Sequence, residues 1–204
     1  MRKRIPNVGC GNNTLVALTG IDGSGKTTII EEIRKELVNR GERCKVVYMG
    51  FGRNFHIPLL GRVARFYSRR KYSGEKKKVR DNYRTRSSSW LAIQYLEMLT
   101  RYLVSKRRGG YTLFDRYFFD GVFLADEKNS KILKKIIPKA DKMFFLYASP
   151  EVIQERKEEA SKEQIEKYHN KINELSKDFE IIKIDNSGPL KEVVEEIMGH
   201  LNEN

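Results

Sequence analysis

Only two cysteines, Cys10 and Cys44, occur in the 204 residues. They lie far apart without CxxC spacing, which excludes a disulfide-built scaffold and a cysteine zinc site and fits a reducing, cytoplasmic setting. Histidine is nearly as scarce. His56, His169 and His200 are scattered, leaving little for histidine-based nucleophile or metal chemistry. No run of about 18 apolar residues is present, so no membrane span is expected. Met1-Arg2-Lys3-Arg4 leads into Pro6, Asn7, Gly9 and Gly11 instead of an apolar stretch, so it does not read as a secretory signal.

What the chain has in excess is positive charge, 40 Lys and Arg against 27 Asp and Glu. A hydrophobic share of 39% nevertheless supplies a core and argues against a disordered basic protein. The excess is local. Residues 62–86 hold 11 basic and 2 acidic side chains, whereas residues 87–204 hold 19 and 20. Lysine runs of this kind are either a solvated surface or a contact for a polyanion. Tyr67, Tyr72 and Tyr83, interleaved with the cations, suit an RNA or DNA backbone.

Apolar runs bounded by turn residues predict strands over 14–19, 45–49, 111–114, 142–147 and 179–184. Between them, helical spacing predicts helices over 26–39, about 83–106, 128–137 and 189–201, with a helix, a break and a helix across 155–177. A short helix is expected over 59–67, and Pro150 suits the first turn of another. Strands that alternate with helices predict an α/β fold, a five-stranded parallel sheet sandwiched by helices. Residues 1–13 read as a polar tail and 14–204 as one domain, with a basic loop at 69–82.

The strongest chemical signal is Gly20-Ile-Asp-Gly-Ser-Gly-Lys26-Thr27, which matches GxxxxGK[ST] between a predicted strand and a predicted helix. Gly20, Gly23 and Gly25 let backbone N–H groups converge on phosphate oxygens. Ser24, Lys26, Thr27 and Thr28 complete the loop, Lys26 reaching the outer phosphates and Thr27 offering its hydroxyl to Mg²⁺. The same residues do not fit GxGxxG, which argues against a dinucleotide fold. Asp115-Arg116-Tyr117 closes the third predicted strand, on the edge where ligands of parallel sheets gather. There Asp115 suits a Mg²⁺-bound water, and Arg116 suits an acceptor phosphate held by two hydrogen bonds.

Leu18-Thr-Gly-Ile-Asp-Gly-Ser-Gly-Lys-Thr-Thr28, Phe114-Asp-Arg-Tyr117, Leu146-Tyr-Ala-Ser-Pro-Glu-Val152 and Ile184-Asp-Asn-Ser-Gly-Pro-Leu190 together resemble the thymidylate kinase family of P-loop nucleotide kinases. The resemblance spans roughly residues 14–200. It implies a P-loop NTPase fold of the nucleoside monophosphate kinase kind, ATP with Mg²⁺, and phosphoryl transfer to a nucleoside monophosphate. It places Asp22 near the acceptor sugar and lets Arg53 stand in for the family's arginine on the acceptor phosphate. It also implies a lid over 155–165, with Arg156, Lys157 and Lys162 as its cations, and makes a homodimer an expectation.

The departures fall on the acceptor side. The family's Arg-Glu-Pro-Gly is replaced by Met49-Gly-Phe-Gly-Arg-Asn54. Asp120 takes the place of a serine, and Phe123-Leu-Ala125 follows. Gln94 or a neighbour stands where the family has a thymine-reading arginine. The phosphate machinery carries over and thymidylate specificity does not.

Several residues read two ways. Gln94 and Glu97 either face the acceptor or line a solvent stripe of the long helix. Phe118, Phe119 and Phe123 either stack on a base or pack in the core. The stretch after Pro150 is either a lid or a solvated helical hairpin. Three functions are open: a kinase for a small nucleotide acceptor, a polynucleotide or RNA kinase that uses residues 62–86, and a nucleotide-binding regulatory module without kinase activity.

Overall fold

The run Leu15-Val-Ala-Leu18 is apolar on both sides, and a strand of that composition is stable only when both faces are covered. The computed structural model, which describes residues 13–50, 88–107, 109–149, 151–153 and 161–203, has that arrangement. Strands β1 (Asn13–Thr19), β2 (Cys44–Tyr48), β3 (Gly110–Asp115), β4 (Lys142–Tyr147) and β5 (Ile182–Asp185) form one parallel sheet in the order β2-β3-β1-β4-β5. Six helices among the described residues flank it: α1 (Lys26–Asn39), α2 (Ser88–Lys106), α3 (Phe119–Leu124), α4 (Glu127–Ile136), α5 (Lys162–Leu175) and α6 (Leu190–Asn202). None of the described helices is long and apolar enough to cross a membrane.

Alternation along the strands separates two apolar layers. Val16, Leu18, Leu113, Phe144 and Leu146 pack against Ile29, Ile30, Ile33 and Leu37 of α1 and Val193, Ile197, Met198 and Leu201 of α6. On the opposite face Leu15, Ala17, Phe114, Met143 and Phe145 meet residues of α2, α3 and α5. Each fully buried side chain of this size contributes about 1.5–3 kcal/mol relative to exposure.

Local chemistry sets the element ends. Gly41 sits at φ 83°, its N–H reaches Val38 O at 2.9 Å, and the Glu42 N–H reaches Leu37 O at 2.9 Å. That paired closure of the last helical turn is why α1 stops there. A Ser161–Gln164 capping box starts α5. At Gly110, φ 102°, a Cβ would lie 2.3 Å from Arg43 O, so only glycine permits β2 and β3 to approach here.

Some boundaries differ from the pattern-based expectation. β1 begins at Asn13, whose amide donates to Ser105 O at 2.8 Å. β5 starts only at Ile182, because the Phe179 N–H still bonds to Leu175 O at 2.9 Å in the turn that ends α5. Helix α3, six residues directly after the Asp-Arg-Tyr segment, was not expected, since its length is too short for a periodic signal. The described part of the long helix begins at Ser88; the expected start near 83, the short helix over 59–67, Pro150 and the basic loop 69–82 lie outside the described residues.

Candidate active site

Parallel strands bring the loop after β1 beside the end of β3. Leu18 stands opposite Asp115 in the register, and the Arg116 N–H donates to Leu18 O at 3.0 Å. On the other side the Met49 N–H donates to Asp115 O at 2.8 Å, so the end of β3 is held between both neighbours. The connections leave β1 and β3 towards opposite edges of the sheet, which makes this the crevice where a ligand fits.

The loop has the shape its glycines allow. A Cβ on Gly20 would meet both Leu146 O and Ser24 Oγ at 2.6 Å. Gly23 and Gly25 have φ of 91° and 82°, the left-handed region that other residues avoid. Gly25 caps α1 without any side-chain hydrogen bond, and no acidic residue occupies the first turn. The helix therefore presents unsatisfied N–H groups and a positive end to the crevice, with Thr27 and Thr28 exposed on that turn.

Lys26 is buried, and its ammonium donates to Ile21 O at 2.6 Å and to Ser24 Oγ at 3.3 Å. Burial, with repulsion from Arg116, lowers its pKa to about 8, although Asp22, Asp115 and Asp120 pull the other way. Burial raises the Asp115 carboxyl above the usual range, opposed by Lys26 and Arg116.

Arg116 lies between two carboxylates. One guanidinium nitrogen donates to Asp120 Oδ2 at 3.0 Å and the other to Asp22 Oδ1. Asp120, the largest influence, raises the guanidinium pKa against the cost of burial, and Asp22 adds to it. The Arg116 backbone has φ 70°, the sole positive φ of a non-glycine among the described residues. Such a conformation costs an L-residue about 1–2 kcal/mol and is kept where position matters more than comfort. Tyr117, next in the chain, is fully buried with its hydroxyl on Pro138 O at 2.7 Å, so it packs and does not face the crevice.

Two cations, Lys26 and Arg116, thus meet three carboxylates, Asp22, Asp115 and Asp120. The Thr27 hydroxyl and the Asp115 carboxylate are hard oxygen donors suited to Mg²⁺, which takes few protein ligands and shares substrate phosphates. No group of three or more His, Cys, Asp or Glu able to hold a metal by itself occurs among the described residues.

Other expected residues find different places. Gln94 and Glu97 are buried at 3% and 2% exposure, which overturns the solvent-stripe reading. Glu97 pairs with the buried Arg101 at 3.1 Å, and Arg101 also donates to Tyr48 O at the end of β2. Phe118, Phe119 and Phe123 belong to the core, the second of the two readings open for them. Phe118 stands edge-on to Tyr117 and Phe123 to Tyr168. Lys162 forms an exposed ion pair with Glu151 at 2.7 Å. Arg53, Arg156 and Lys157 lie outside the described residues.

Two ties to the loop escaped the motif reading. The Asn186 side chain, buried in the turn after β5, donates to Ser24 O at 2.6 Å. The Tyr168 hydroxyl on α5 lies 3.2 Å from Thr19 Oγ1, at the entrance to the loop. An asparagine at the ligand-facing end of β5 was the available signal for the first.

An AAA domain family model matches residues 15–192. A protein of Archaeoglobus fulgidus named "Probable thymidylate kinase" is 26% identical over 196 residues, covering 90% of this chain and 92% of the relative. Among solved structures, thymidylate kinase from Ehrlichia chaffeensis superposes with a TM-score of 0.57 at 15% identity, covering 93% of this chain and 99% of that one. Thymidylate kinase from Candida albicans gives a TM-score of 0.58 at 16% identity, covering 94% and 92% respectively. The chain belongs to the AAA domain family, and its fold is shared with the thymidylate kinases.

Proposed function

We propose that the chain transfers the γ-phosphoryl group of ATP to a nucleoside monophosphate or a similarly small acceptor bound at Arg116. The observation that carries this reading is the bridge from Arg116 to Asp22, which joins the Asp-Arg-Tyr segment to the phosphate loop. An acceptor oxygen attacks the γ-phosphorus, the bond to the β–γ bridging oxygen breaks, and ADP leaves. Phosphoryl transfer asks little covalent chemistry of the protein, so positioning and charge neutralisation do the work.

Gly20, Gly23, Ser24, Gly25, Thr27 and Thr28 surround the nucleotide phosphates, and Lys26 leaves Ile21 O to reach them. Thr27 and Asp115 would hold Mg²⁺ through their hard oxygen donors. Magnesium, when bound, neutralises phosphate charge. Asp22, Arg116, Asp120, Gln94 and Arg53 form the acceptor side, and Arg156, Lys157 and Lys162 belong to the lid. The free Cys44 suits a reducing cytoplasm. Leu96, Leu103 and Val104, exposed along α2, are consistent with a homodimer.

Labelled ATP with a panel of nucleoside and deoxynucleoside monophosphates, nucleosides and RNA tests the reading. Transfer to a monophosphate that Lys26→Ala abolishes supports it; ATP binding with no transfer to any acceptor refutes it in favour of a regulatory module. A second reading, transfer to a nucleic-acid end, rests on the cluster of 11 basic side chains in residues 62–86. Neutralising Lys76, Lys77 and Lys78 weakens transfer in a salt-dependent manner only under that reading.

A further inference from the structure

Ser24 is flanked by two glycines in left-handed conformations, Gly23 at φ 91° and Gly25 at φ 82°. Peptide rotation is therefore sterically cheap on either side of it. The direction of the Ser24–Gly25 peptide matters all the same. In a trans peptide the C=O and N–H point opposite ways, and no described peptide is cis. If the Ser24 carbonyl turned into the crevice, its partial negative charge would face the phosphates, and the Gly25 N–H would be lost to them.

One side chain opposes that rotation. The Asn186 Nδ2 donates to Ser24 O at 2.6 Å in a buried contact across 162 residues of sequence. A carbonyl can only accept, so the amide nitrogen must be the atom facing it. The asparagine is itself fixed: its backbone N–H donates to Tyr147 O at 2.8 Å, and the Ser187 N–H donates to Asp185 Oδ1 at 2.9 Å. Asn186 is 4% exposed and Ser24 is fully buried, so water does not replace the bond. The Gly25 N–H makes no backbone hydrogen bond outside regular elements among the described residues.

We propose that Asn186 is a positioning residue that holds the Ser24–Gly25 peptide with its N–H turned towards the nucleotide phosphates. It acts through the loop and does not touch the ligand. The inference rests on the reading of the loop as a phosphate site.

The test compares the full chain with Asn186→Ala, using Mg·ATP and inorganic tripolyphosphate as ligands in calorimetry. The expected result is an affinity loss of about tenfold for both, the size of one hydrogen-bond contribution, with the acceptor KM unchanged. Equal binding by a folded variant overturns the inference. So does a loss for ATP without a loss for tripolyphosphate, which would place Asn186 against the nucleoside instead. Failure of the unaltered protein to bind tripolyphosphate overturns the phosphate-loop reading itself, and this inference with it. If Asn186→Ala does not fold, amide NMR of the unaltered protein decides. Tripolyphosphate should shift the Gly25 N–H and leave the Asn186 side-chain amide in place, and an unmoved Gly25 signal overturns the proposal.

Discussion

Arg116 donates to Asp22 across 94 residues of sequence, and its other guanidinium nitrogen is occupied by Asp120. The guanidinium that is proposed to receive the acceptor phosphate is therefore already engaged at rest, so an incoming phosphate competes with carboxylates for it.

Arg116→Ala should cut turnover by roughly 10²–10³-fold, the usual effect of removing one preorganised donor. ATP affinity should change far less, because the nucleotide phosphates are proposed to lie on Lys26 and the loop. Steady-state kinetics with ATP and acceptor varied separately would check both statements. A comparable loss of ATP affinity would contradict the assignment.

Asp120→Asn keeps the shape and removes one of the two competing charges. The acceptor KM should fall about threefold to tenfold for a phosphate-bearing acceptor, since Arg116 is released from one carboxylate. It should stay level for an uncharged acceptor. Measuring KM for paired monophosphate and nucleoside substrates separates these outcomes.

Lys26 makes nucleotide binding pH-dependent. Its pKa near 8 in the free protein should rise when phosphates replace Ile21 O as its partner. Binding at pH 8.5 should therefore take up protons, visible as a dependence of calorimetric heat on the buffer's ionisation enthalpy. Lys26→Ala should show no such uptake. The same group affects stability. Between about 8 and the ordinary 10.5 the unfolded chain holds a proton that the folded chain lacks, so this lysine makes unfolding harder as pH rises through that window. Below it, the buried charge works fully against folding.

Arg101→Met should destabilise the protein by about 3–5 kcal/mol, because Glu97 would keep a buried charge without this partner. The side chains of the pair are 6% and 3% exposed. Urea denaturation followed by circular dichroism would register the lowered midpoint. A change under 1 kcal/mol would show that the pair is dispensable.

Which parts of this site were readable in the chain follows from how local each signal is. The loop and α1 are encoded within 20 consecutive residues, by glycines at fixed offsets and by Ile29, Ile30, Ile33 and Leu37 at helical spacing. Both apolar layers follow from runs such as Leu15–Leu18, whereas the order of the strands depends on where each helix crosses the sheet and is seen only in the structure. Gln94 and Glu97 were ambiguous because periodicity reports which face a residue occupies but not whether a partner such as Arg101 compensates a buried charge. Phe118 and Phe119 adjoin a ligand motif, and only the packing of α3 shows them turned inward. Of the contacts that join distant segments, Tyr168 to Thr19 leaves no pattern in the sequence, and Asn186 to Ser24 leaves only an asparagine at the end of β5.

The left-handed backbone at Arg116 puts two demands in opposition at one position. Glycine or asparagine would occupy that conformation with less strain, yet neither carries the charge that spans Asp22 and Asp120. Arg116→Gly would relax the chain and at the same time take this cation from the buried Asp120 carboxylate and from Asp22, so the gain in backbone comfort is opposed by the larger cost of a stranded charge. Position 116 marks where the backbone and the charge network of this protein pull in different directions.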